Sequence, residues 1–109
     1  MFCISIQIRP KVAASFTREE LLDRVHHIRS PEVDAYEEKG KLLLSFNFFT
    51  ELPNSLWNQL QAALFDHSEF GLQLKNNCIV LAEDEITEAC YLLHHFDTNE
   101  ALDRLPEKV

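Results

Sequence analysis

The chain has 109 residues, 46% apolar and 26% charged, with eight Phe and only two Gly, which is the profile of a globular domain and excludes a disordered or fibrous chain. Its formal charge of −8 sets it against phosphate backbones and anionic membranes and favours basic protein surfaces. No run of about 18 apolar residues occurs, and "MFCISIQIRP" lacks the basic flank, long apolar run and cleavage site of a leader. A single cytoplasmic domain over 1–109 is expected, without direct nucleic-acid or membrane binding.

Phe2, Ile4, Ile6 and Ile8 alternate with Cys3, Ser5 and Gln7, the period of a half-buried strand. After Pro10 and a short connection, Thr17 stands as N-cap with Glu20 three residues on, and Phe16 is placed to staple against Leu21. Leu21, Leu22, Val25 and Ile28 then form one helical stripe that Pro31 ends. "EVDAYEEKGKLLLSFNFF" reads as a hairpin turning over Glu38, Lys39, Gly40 and Lys41. Its first arm sets Glu32, Asp34, Tyr36 and Glu38 on one side and Val33 and Ala35 on the other, an exposed edge strand. Its second arm is a central strand, with Leu42, Leu44, Phe46 and Phe48 for the core and Leu43, Ser45, Asn47 and Phe49 on the opposite face.

Pro53 suits the first turn of a second helix carrying Leu56, Leu60, Ala63 and Leu64, and Trp57 borders that stripe, with Gly71 terminating the segment beyond. "LQLKNNCIVLAED" reads as one strand or as a hairpin turning on Asn76-Asn77; the hairpin is preferred because Asn tolerates left-handed backbone angles. From Asp84, the residues Ile86, Ala89, Cys90, Leu93 and Phe96 or Asp97 recur at helical spacing, with Glu85 and Glu88 in the first turns. Thr98 then caps a short terminal helix that stops before Pro106. The expected class is α+β in the order β-α-β-β-α-β(β)-α, with helices on one face of a largely antiparallel sheet. The first six elements match the split βαβ order, of which a ferredoxin-like fold is one form.

Reactive chemistry is poorly represented. Cys3, Cys78 and Cys90 are odd in number and widely spaced, so they read as reduced core thiols. His26-His27 and His94-His95 are adjacent pairs whose members would point about 100° apart on a helix, and Cys90 with His94 supplies only two ligands of a metal site. Gly40 and Gly71 alone build no phosphate-cradling loop. No catalytic residue, cofactor or metal is expected.

The charge is uneven: residues 1–31 carry five basic and three acidic side chains, residues 32–109 five basic and fifteen acidic. The acids collect in "EVDAYEE" and "AEDEITE", where a solvated edge and a charged helix start explain them as well as a docking surface does. In the docking reading, Asp34, Glu37, Glu38, Glu83, Asp84 and Glu85 mimic phosphates before a basic cleft and Tyr36 is the aromatic anchor. In size, charge and lack of an enzyme motif the chain resembles the small acidic immunity proteins of bacterial toxin systems. That resemblance implies a non-catalytic inhibitor covering the active site of a basic, nuclease-like toxin domain. A different class also fits: a homodimeric ferredoxin-like protein that binds or converts a small molecule, with His26, His27, Arg29 and His67 as its candidates.

Overall fold

The isoleucines of the first strand decide where the core lies. In the computed structural model, which describes residues 1–13 and 15–106, β1 (Phe2–Ile8) is the middle of a five-stranded antiparallel sheet ordered β2-β3-β1-β4-β5. The other strands are β2 (Glu32–Glu38), β3 (Lys41–Thr50), β4 (Cys78–Asp84) and β5 (Cys90–His94). Ile4 lies between Phe48 and Ala82, and Ile6 between Phe46 and Val80. All six are fully buried, and each large apolar side chain so buried contributes about 1.5–3 kcal/mol.

Among the described residues four helices supply the other half of that core: α1 (Pro10–Ala13), α2 (Arg18–Val25), α3 (Pro53–Leu64) and α4 (Glu69–Lys75). Leu21 and Val25 of α2, Leu56, Leu60 and Leu64 of α3, and Phe70 and Leu74 of α4 close over the isoleucine face. Phe16 packs on Phe46 and Phe70, with ring centroids 6.0 and 5.8 Å away. Helices therefore cover one sheet face, and among the described residues the face bearing Cys3, Ser5, Gln7, Ser45 and Asn47 has none.

The α+β class and the antiparallel sheet are as expected, and so is the β2–β3 hairpin. Lys39 and Gly40 both take positive φ, 52° and 77°, the geometry of a two-residue primed turn that matches strand twist. The first long helix is shorter than its apolar stripe, Arg18–Val25, and the Thr17 side chain makes no capping bond to it.

Four expectations are overturned. The segment before β4 is α4 and not a hairpin arm: the Ser68 hydroxyl accepts from Gly71 N–H at 3.0 Å and starts the helix, while Asn76 closes it. Gly71 lies inside α4 and does not terminate it, because a β-carbon there would stand 2.5 Å from the Asp66 carbonyl oxygen and 2.9 Å from its nitrogen. The region from Asp84 to His94 is a turn and a strand, not a helix. The Asp84 carboxylate accepts from Ile86 N–H at 2.9 Å, Glu88 takes φ of 64°, and Asp84 N–H donates to Ala89 O at 2.8 Å, so the chain doubles back to pair β5 with β4. The spacing that suggested a helix was accidental: Ile86 is 82% exposed. Residues 101–106 carry no helix either; they run beside β5. The split βαβ order thus holds through β4, and β5 extends the sheet where a helix was expected.

Candidate protein-binding surface

The helix-free face is built by alternation, since each residue opposite another across an antiparallel ladder shares its face. Asp34, Ser45 and Gln7 fall in one row, and Tyr36 lies opposite Leu43 one step higher. Asn47 holds the middle. Its Oδ1 accepts from Ser5 Oγ at 2.7 Å and Ser45 Oγ at 2.9 Å, and its Nδ2 donates to Asp34 Oδ2 at 2.8 Å. That chain of bonds runs from β1 across β3 to β2 and fixes Asp34 with one carboxylate edge turned to solvent.

Above this polar row, Arg9, Tyr36, Leu43, Ile79 and Phe96 border an open cavity of about 570 Å³. The Arg9 guanidinium lies 4.2 Å over the Phe96 ring, a cation–π stack. Arg9 was not singled out by pattern, and Phe96 was read only as part of a helical stripe: Arg9 sits just past the end of β1 and Phe96 just past the end of β5.

At the other end of the same face, Cys3 lies opposite Phe49 and Glu83. Burial pushes its thiol pKa up, and the nearby Glu85, Glu83 and Glu32 carboxylates push it further, against the Ser5 hydroxyl. The three cysteines do not share the expected core setting. Cys78 is buried, which raises its pKa to about 12; Cys3 is half-buried, and Cys90 is exposed on β5 opposite Glu83. Both raised thiols are held away from the thiolate that nucleophilic chemistry needs.

The seven residues read from sequence as contacts fall into two groups. Asp34, Tyr36 and Glu38 point to the open face of β2, and Glu37 to its helix side; every residue of β2 is exposed. Glu83 shares the open face at the far end of β4, while Asp84 spends its carboxylate on the turn, which holds its pKa below the usual range. Glu85 follows that strand, its N–H on Met1 O at 3.0 Å. With β3 and β1 between them, β2 and β4 stand about 14 Å apart. The acids therefore form two patches.

Ion pairs among the described residues use Glu51, Glu20 and Asp66, and none uses an acid of either patch. Of the histidines, only His95 comes near this surface, its ring 4.5 Å from that of Phe96. His26 and His27 follow α2 with their rings 5.6 Å apart, and His94 packs on Phe65 at 4.8 Å and bonds Lys75 O at 2.7 Å. His26, His27, Arg29 and His67 all lie off the cavity. Among the described residues no three His, Cys, Asp or Glu side chains come together to hold a metal ion, and no helix is long and apolar enough to cross a membrane. In comparisons with known proteins, no family model, curated protein or solved structure matches the chain.

Proposed function

We propose that this protein is a non-catalytic binding protein that neutralises a basic partner, in the manner of an immunity protein covering a toxin's active site. One observation carries the reading: Glu32, Asp34, Glu37 and Glu38 stand on one fully exposed strand with no cation among the described residues ion-paired to them, and Tyr36 projects among them, 56% exposed. A rigid acidic strand with an aromatic anchor complements a cationic cleft and steers its approach. The test is to recover the partner from the native cell, purify it, and measure association by stopped flow. Raising salt from 50 to 300 mM should slow association at least tenfold, and Asp34→Lys with Glu37→Lys and Glu38→Lys should slow it by a similar factor. A rate indifferent to both would rule the reading out.

The cavity favours a second reading, a small molecule bound on the open face with an anionic group toward Arg9 and a flat group along Phe96 and Tyr36. A metabolite that raises the melting temperature of the wild type but not of Arg9→Ala supports it. A broad panel without a hit disposes of it.

A further inference from the structure

The two edges of the sheet are treated differently. At β5 the outward backbone of Leu92 is closed by the chain itself: its N–H donates to Asp103 Oδ2 at 2.8 Å, and its C=O accepts from Asp103 N–H at 2.8 Å. The tail is anchored there by Leu105, which is buried. At β2 no backbone bond from another segment of the described chain arrives. The two-residue turn makes Glu38 and Lys41 a hydrogen-bonded pair, so by alternation Tyr36, Asp34 and Glu32 turn their backbone inward to β3. Val33, Ala35 and Glu37 turn N–H and C=O outward. An open edge seven residues long is a template for another strand.

We propose that the open edge of β2 takes up an extended segment of the partner as a sixth strand, one whose side chains alternate between basic and apolar. The proposal rests on the basic-partner reading and adds how that partner is held. The alternation follows from the two faces of β2. Glu32, Asp34 and Glu38 lie on the open face and call for cations; Val33, 40% exposed, and Ala35 lie on the helix side beside Leu44 and Phe46 and call for apolar groups, with Glu37 the one acid of β2 on that side. A second copy of β2 does not fit. Paired antiparallel about Ala35 it sets Glu32 against Glu38, about Asp34 it sets that residue against itself, and about Tyr36 it sets Asp34 against Glu38.

The probe is a capped nine-residue peptide of alternating Lys and Val, added to the 15N-labelled full chain. Amide exchange at Val33, Ala35 and Glu37 should slow at least tenfold at saturating peptide, and the analogue with Glu for Lys should do nothing. Two further peptides carry N-methyl groups on the Val amides or on the Lys amides; a true strand addition is abolished by one phase and spared by the other, because alternate amides face β2. Ala35→Pro deletes an outward N–H without costing a bond to β3, so it should fold, by its spectrum, and lose at least tenfold in peptide affinity. If both methylated peptides bind as well as the parent, the peptide is held by charge alone: strand addition is overturned and the basic-partner reading stands. If the Lys peptide does not bind at low salt, both are overturned. Slow exchange at the three amides in the protein alone, growing with its concentration, would give the edge to a second copy and overturn the proposal.

Discussion

Arg24 and Asp66 tie three helices together with two side chains. Arg24 Nη1 donates to Asp66 Oδ2 at 2.7 Å and to Ala63 O at 3.2 Å, Nη2 donates to Ser68 Oγ at 3.1 Å, and the guanidinium lies 4.6 Å over Phe70. A lysine could not make this fork. The Ser68 hydroxyl and then Arg24 hold the Asp66 carboxyl down from 3.8 to about 2. A depressed carboxyl stabilises the fold above its unfolded pKa and loses that contribution as pH falls through the folded one. The expected outcome is a wild-type urea midpoint above that of Asp66→Asn at pH 5, with the gap closing between pH 3.8 and about 2; a gap constant with pH would show that the charge contributes nothing. The Asp66 side chain is 42% exposed, so solvent screens the pair and the window of pH is the diagnostic, more than the size of the gap. His94 adds an earlier loss in both proteins. Burial lowers its pKa below 6.5, so the unfolded imidazole takes a proton first and stability begins to fall as pH drops through that value.

At the scale of elements, the tail over β5 is a strap. Asp103→Ala removes the acceptor of Leu92 N–H, and the amide of Leu92 should then exchange at least tenfold faster while those of β1, deep in the sheet, stay unchanged. Equal protection in the variant would mean that Leu105 alone holds the tail. The strap also marks the boundary of what the sequence revealed. β1, β3 and α3 were readable because their partners impose a period: Ile4, Ile6 and Ile8 alternate because one face is covered, and Leu56, Leu60 and Leu64 recur because one stripe is. β5 was not. Its register depends on a turn held by the Asp84 side chain and on pairing with β4, and neither leaves a period in five residues. α4 was missed for a related reason: Gly71 looks like a stop, but its small size serves the close approach of Asp66. Ser68 followed by Phe70 and Leu74 was the usable signal. On the candidate surface, the acids of β2 were evident from composition, whereas Arg9 and Phe96 became neighbours only through the order of strands.

For the whole molecule, charge and topology answer one problem together. An antiparallel sheet with a helix-free face and an unpaired edge invites association, and the described residues leave both open within a body of 37 × 31 × 29 Å. Its protection is electrostatic. Residues along β2 are about 3.3 Å apart, and two copies meeting there would bring their acids well inside the ~8 Å screening length of physiological salt. Replacing Glu32, Asp34, Glu37 and Glu38 by their amides halves the formal charge of −8 while leaving shape and backbone as they are. The wild type should sediment as a monomer at 0.1 mM in physiological salt, and the fourfold amide variant should form dimers and larger species in proportion to concentration. Adding Ala35→Pro to that variant should restore the monomer, because the outward N–H it deletes is one of the groups a second copy would need. A fourfold variant that stays monomeric would mean that the acids are not what keeps the edge free, and their placement would then be explained by a partner alone.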